Sequence, residues 1–218
     1  QRVKPTLMLA TLGRAPAVAE LKQRLERIAN LKSPLLLTGE PGSGVELCAK
    51  FVHPPNAPWV APENFAALAE APLDVLNQAR EGTLFLREIG ELNRVEQKGL
   101  LLIAGKLEKY NTRLVCASSR PLPELVAQGA FDARLYGMVA TVTVHIPSLR
   151  EHQEDIPVLA NLFLLRSVEA KEVAPRHFST AALNALRNYD WPGNLSQLES
   201  AVRSLALALS RDEHEAAD

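Results

Sequence analysis

Two cysteines, Cys48 and Cys116, are all this chain contains, and both sit in apolar stretches. That excludes a disulfide framework and reads as two buried free thiols in a reducing compartment. Charge of one sign is also missing: 24 basic residues face 25 acidic ones, for a net −1. No bulk positive field is left to hold nucleic acid or an anionic membrane. The longest apolar runs, Leu100–Ala104 and Leu205–Leu209, fall far short of the roughly 20 residues that span a bilayer. No signal-peptide pattern opens the sequence, and a cytoplasmic location is expected. Five histidines (His53, His145, His152, His177 and His214) stand at no metal-ligand spacing, so no metal site is expected. The first residue is Gln1 rather than Met, which fits a piece of a longer protein.

What is present is a chain of 218 residues, 47% hydrophobic, long enough for one large α/β domain with a small lid. A chain this long buries roughly 70% of the surface its unfolded form exposes, so it needs no covalent staples. Residues 1–14 read as a leading linker ending at Gly13. From Pro16, Val18, Leu21, Leu25 and Ile28 recur at helical spacing. Leu35–Thr38 reads as a buried strand, Gly39–Gly44 as a turn-rich loop and Val45–Val52 as a helix stopped by Pro54 and Pro55. Strand, glycine loop and helix in that order form the context of a phosphate loop.

Pro54–Pro72, with five prolines, is the least regular stretch, and a helix is expected over Leu73–Arg80. Thr83–Leu86, Arg113–Ser118 and Val139–Ile146 read as further strands, and Asn93–Lys109 as a helix. Past Pro147 three helices are expected, Ile156–Ala170, Ser179–Asn188 (capped by Ser179) and Asn194–Ser210, with Arg211–Asp218 polar and frayed. Alternation of strands and helices predicts an α/β fold with a parallel sheet. The domain plan is a linker over 1–14, an α/β part over 15–149 and a helical lid over 150–218.

Four segments together carry a family resemblance: Gly39–Glu46 (GEPGSGVE), Gly82–Leu92 (GTLFLREIGEL), Ile146–Pro157 (IPSLREHQEDIP) and Trp191–Leu195 (WPGNL). In this order and spacing the chain resembles the AAA+ domain of bacterial enhancer-binding regulators of the NtrC type, which use ATP to remodel RNA polymerase carrying sigma-54. The resemblance runs from about Leu12 to Arg203. It implies a three-layer αβα sandwich with a C-terminal helical lid. It also implies a receiver or sensor domain before this segment and a helix-turn-helix DNA-binding domain after it, neither of which lies in this sequence. DNA contact is therefore expected only through a domain outside this chain.

Carried over position by position, the resemblance meets substitutions at one chemical function. A working phosphate loop needs backbone N–H groups and a Lys that reaches the β- and γ-phosphates. Gly39, Gly42, Ser43 and Gly44 are in place, Glu46 is usual for the family, and Val45 stands at the Lys position. An opposite charge at ~4 Å is worth about 4 kcal/mol at an effective dielectric of 20, roughly a thousandfold in affinity. The family's Asp-Glu pair, which helps hold Mg²⁺ and polarises water, is Arg87-Glu88 here. Arginine stays protonated and cannot ligate a cation. Arg87 is read as a stand-in cation paired with Glu88, Glu46 or Glu40, or as a tolerated arginine at a strand end. The γ-phosphate sensor Asn is matched by Ser119, and the lid Arg by Ser196. The two arginines that act across the subunit interface are matched by Asp132 and Met138, with Arg134 nearby. The sigma-contacting Gly-Ala-Phe-Thr-Gly-Ala loop has no counterpart in Ala61–Glu81, between Val60 and Gly82.

The resulting expectation is a degenerate AAA+ domain that kept its fold and gave up hydrolysis. Such a domain would serve a transcription regulator of the response-regulator type as an interaction or self-association scaffold, without productive contact to sigma-54 polymerase. No catalytic residue is assigned, although Glu88 is retained, and no cofactor is expected. The alternatives are a weak ATPase working through Glu88 with Arg134 or Arg87, for which ATP or ADP with Mg²⁺ would be the cofactor, and a switch whose glycine loop and Arg87 hold ADP or another phosphorylated nucleotide unhydrolysed. The loss of the cross-subunit arginines predicts a monomer or dimer.

Overall fold

A computed structural model describes residues 9–217, the last eight through their backbone only. The chain divides into two compact units. One is formed by residues 23–39 and 45–146; the other gathers 9–22, 40–44 and 147–217.

The first unit is built on five parallel strands: β1 Leu35–Thr38, β2 Trp59–Val60, β3 Thr83–Leu86, β4 Arg113–Ser118 and β5 Val142–His145. Their order is β2-β3-β4-β1-β5. Leu35 is in register with Val115 on one side and Val142 on the other, and Thr83 with Arg113. β1 and β3 read as unbroken apolar runs because a parallel sheet is covered on both faces; Leu35, Leu36, Leu37, Leu84, Phe85 and Leu86 are all at most 2% exposed. Helices on the two faces complete the three-layer α/β architecture expected from the sequence. Around the sheet run α1 Pro16–Ile28, whose second half belongs here, α2 Val45–Val52, α3 Ala66–Glu70, α4 Pro72–Gln78, α5 Arg94–Ala104, α6 Leu107–Tyr110, α7 Leu122–Ala127 and α8 Ala133–Val139.

Several local expectations are corrected. The irregular stretch Pro54–Pro72 holds the short edge strand β2 and helix α3. Close contact makes α3 possible: a Cβ on Gly99 of α5 would lie 1.7 Å from the Leu68 carbonyl oxygen. Tertiary packing, not local periodicity, fixes that helix. The single helix expected over Asn93–Lys109 is two, α5 and α6, parted at Gly105. The fourth strand is shorter than Val139–Ile146, because Val139 closes helix α8. α4 starts at Pro72 and ends at Gln78, earlier than the expected Leu73–Arg80. Cys48 and Cys116 are buried free thiols, as expected, and burial pushes the Cys48 pKa up to about 12 and that of Cys116 higher still.

The second unit carries a 3₁₀ turn at Ala10–Leu12, another over Leu149–Asp155, and the helices α9 Ile156–Glu169, α10 Thr180–Asn188 and α11 Asn194–Ala217. Leu9 and Leu12 are each 2% exposed, so residues 9–14 pack instead of hanging as a linker. Residues 1–8 lie outside the described residues. Ser179 caps α10 as expected, accepting the Ala182 N–H at 3.1 Å. The fraying expected from Arg211 is not a helix end in the backbone, since α11 continues to Ala217; side chains from 210 onward lie outside the described residues. No helix among the described residues is long and apolar enough to cross a membrane.

Candidate functional site

In the second unit, the loop of residues 40–44 is held by three successive contacts. The Arg150 guanidinium donates to the Glu40 carboxylate. That charge-assisted pairing lowers the Glu40 pKa and raises that of Arg150. Asn194 Nδ2 donates to the Pro41 carbonyl at 3.0 Å, while its Oδ1 accepts the Leu149 N–H at 2.8 Å. The Ser196 N–H donates to the Gly42 carbonyl at 3.2 Å. Gly42 must be glycine on two grounds: its φ is +79°, and a Cβ there would lie 2.2 Å from the Gly193 carbonyl oxygen. Gly44 has φ +108°, and a Cβ there would meet the Leu12 side chain at 2.5 Å. Ser43 is buried, and its Oγ has no hydrogen-bond partner among the described residues.

The same unit buries Trp191, 4% exposed, with Nε1 donating to the Leu186 carbonyl at 2.7 Å. Trp191 is thus a packing residue, and it also lines an apolar groove of about 520 Å³ with Phe178, Leu186, Tyr189 and Leu205.

In the sheet unit, the end of β3 carries a second group of expected residues. Arg87 is exposed and paired with Glu46 at the start of α2, so of the three partners expected it takes Glu46. Lys50, one helical turn on, also approaches Glu46 at 3.7 Å. Glu88 sits in the left-handed region with φ 49° and ψ 50°. Its Oε2 accepts the Ser119 hydroxyl at 2.8 Å and the Ser119 N–H at 3.3 Å. Ser119, matched to the sensor Asn, is thus a holder of the Glu88 carboxylate. Val45 opens α2 with neither charge nor donor on its side chain.

The residues expected at a subunit interface, Asp132, Arg134 and Met138, lie at α8. Asp132 is its N-cap, its Oδ1 accepting the Leu135 N–H at 2.8 Å. A capping Asp is a sufficient local reason for that residue. Arg134 is exposed and Met138 half-buried on the same helix. Among the described residues, no group of three His, Cys, Asp or Glu side chains is placed to share a metal.

Sequence reading missed the joint made by Asn194 and Arg150. The signal was there, since Trp191–Leu195 is a family segment, but residue types alone name no partner for Asn194. Sequence reading gave Asp155, inside the segment Ile146–Pro157, no role. Asp155 is 6% exposed, and its carboxylate accepts the N–H groups of Arg14 at 2.8 Å and Ala15 at 3.0 Å and contacts His152 Nδ1 at 2.9 Å.

Comparison with known proteins gives this arrangement its context. The family model described as "Sigma-54 interaction domain" matches residues 12–149, and that described as "AAA+ ATPase lid domain" matches residues 150–218. The anaerobic nitric oxide reductase transcription regulator NorR of Aeromonas hydrophila subsp. hydrophila is 35% identical over 90% of this chain and 45% of its own length. The transcriptional regulatory protein ZraR of Escherichia coli K12 is 32% identical over 91% of this chain and 53% of its own. The chain therefore spans about half the length of the curated relatives it matches. The crystal structure of NtrX from Brucella abortus in complex with ATP superimposes with a TM-score of 0.84 at 26% identity, over 91% of this chain and 50% of that one.

Proposed function

This chain belongs to the sigma-54 interaction family of AAA+ domains, with its lid, and we propose that within this family it is a non-hydrolysing member. The observation that carries the reading is the pairing of Arg87 with Glu46. A guanidinium occupies the strand end where the resemblance puts a metal-holding Asp, and a guanidinium repels a divalent cation. Two further features support it. Val45 supplies no counter-charge to a phosphate, and Ser119 ties down the one retained carboxylate, Glu88. The side chains present do not fit a metal-bound triphosphate.

On this reading the domain is the central part of a bacterial transcription regulator of the response-regulator type, working in the cytoplasm. It acts as a regulatory scaffold through protein partners or self-association. DNA contact falls to a helix-turn-helix domain outside this chain, and sigma-54 polymerase is not productively engaged, because Ala61–Glu81 lacks the contacting loop.

Turnover decides it. With saturating ATP and Mg²⁺, phosphate release by the purified chain is expected to equal that of Glu88→Gln. Release by the unaltered chain that Glu88→Gln abolishes overturns the reading in favour of a weak ATPase. One observation favours a second reading, a switch that binds nucleotide unhydrolysed: the loop keeps Gly42 and Gly44 at positive φ, and the Ser43 hydroxyl is unpartnered among the described residues. The NtrX structure named above was solved with ATP bound. A thermal shift with ATP or ADP, without turnover, selects that second reading.

A further inference from the structure

The second unit is assembled from three separate stretches of chain, residues 9–22, 40–44 and 147–217. Two buried polar side chains sit where these stretches meet. Asp155, from the 3₁₀ turn before α9, receives the backbone N–H groups of Arg14 and Ala15. Gly13 makes room for that carboxylate, since a Cβ on Gly13 would lie 2.2 Å from Asp155 Oδ2. Asn194, fully buried, bridges the Leu149 N–H to the Pro41 carbonyl and so fastens the lid to the glycine loop.

Between these two joints runs an apolar link. Leu12, two residues before the pair that Asp155 holds, reaches Gly44 from one side, and Leu195, next to Asn194, reaches it from another. A Cβ on Gly44 would lie 2.5 Å from Leu12 Cδ2 and 3.6 Å from Leu195 Cδ1. Coupling over a distance needs such a contiguous chain of packed side chains and hydrogen bonds. Its steps here are the Asp155 and Asn194 hydrogen bonds, the chain from Arg14 back to Leu12, and the approach of Leu12 and Leu195 to Gly44.

We propose that the leading segment, the glycine loop and the lid form one transmission body, with Asp155 and Asn194 as its joints and Leu12 as the link between them. A displacement of the leading segment is thereby delivered to the loop and the lid, with no ligand required. The inference does not rest on the loss of hydrolysis, and its test uses no nucleotide.

Hydrogen exchange followed by mass spectrometry on the whole chain tests it. The reporter is the Ser196 amide, which is bonded to the Gly42 carbonyl and so reads the loop–lid junction. Asp155→Ala is expected to speed exchange at residues 13–15 and also, by about tenfold, at Ser196. A tenfold change corresponds to about 1.4 kcal/mol of local opening free energy. Coupling free energy is reciprocal, so Asn194→Ala is expected to speed exchange at residues 13–15 in turn. In a Leu12→Ala background the effect of Asp155→Ala on Ser196 is expected to vanish. Faster exchange confined to residues 13–15, with Ser196 unmoved, overturns the proposal. If Asp155→Ala abolishes the cooperative melt, Asp155→Asn replaces it, with a smaller change expected at the same two places and the same result overturning.

Discussion

Asn194 in the loop-and-lid unit and the Arg87–Glu46 pair in the sheet unit are held in opposite ways. In the first, Asn194 is 0% exposed and uncharged, and it makes contacts to Leu149, Pro41 and Pro192. In the second, the side chains of Arg87 and Glu46 are 60% and 39% exposed. Removing a buried hydrogen-bonding hub strands its partners without water, at about 1–3 kcal/mol for each unsatisfied group. An exposed ion pair is worth about 0–1 kcal/mol, because water and salt stand in for the lost partner. The difference teaches which substitutions this chain bears cheaply. Arg87 and Glu46 meet at a solvent-facing strand end, where replacement costs little. The joint that shapes the loop is buried, and its replacement costs more.

The sharpest way to break that comparison is Asn194→Ala. It orphans the Leu149 N–H and the Pro41 carbonyl. It also removes Asn from φ 55°, a conformation that Asn tolerates better than Ala. A loss of about 3 kcal/mol is expected, read as a fall in Tm of roughly 6–12 °C for a chain of this size. A fall under about 2 °C would mean that the hub carries no more than the surface pair does.

Two glycines sharpen it further. Gly42 and Gly129 have similar φ, +79° and +74°. A Cβ on Gly42 collides with the Gly193 carbonyl oxygen, whereas a Cβ on Gly129 meets nothing within 4 Å. Gly129→Ala should therefore lose only the left-handed backbone preference, about 1 kcal/mol. Gly42→Ala should lose that and the contact with the lid turn as well, about 2–3 kcal/mol in all. Equal midpoints in urea for the two variants would show that the loop yields freely, contrary to a tightly held junction.

These contrasts also explain how far the sequence could be read. The sheet was legible because parallel strands buried on both faces leave continuous apolar runs such as Leu35–Leu37. The glycine loop was legible because its spacing between a strand and a helix is itself a signal. Helix α3 was not, because its place is set by the close approach of Leu68 to Gly99, 31 positions away in the chain. Helix α8 was hidden by its own β-branched end at Val139, which periodicity assigned to the following strand. In the candidate site, residue types at motif positions were readable, but partners were not. That Arg87 would choose Glu46, and that Ser119 would hold Glu88, depends on side-chain geometry across the sheet. Asp155 was illegible for the same reason: its partners are backbone amides 140 and 141 positions away.

The smallest effect belongs to Arg87→Asp, which tests the surface side of the comparison. The substitution removes a favourable pair and sets a carboxylate where the guanidinium met Glu46, with Glu88 next in sequence. Like charges repel, but both positions face solvent, so the loss is expected to be about 1 kcal/mol or less at low ionic strength, a fall in Tm of roughly 2–4 °C. Salt should erase it, since the Debye length shortens to about 3 Å at 1 M and screens exposed charges beyond that range. Arg87→Ala, which deletes the pair without adding repulsion, should fall by less and respond less to salt. An unchanged Tm for Arg87→Asp at low salt would reduce Arg87 to a tolerated arginine at a strand end. A loss above about 3 kcal/mol that survives 1 M salt would mean that the strand end, like the buried joint, is held by interactions that water cannot replace.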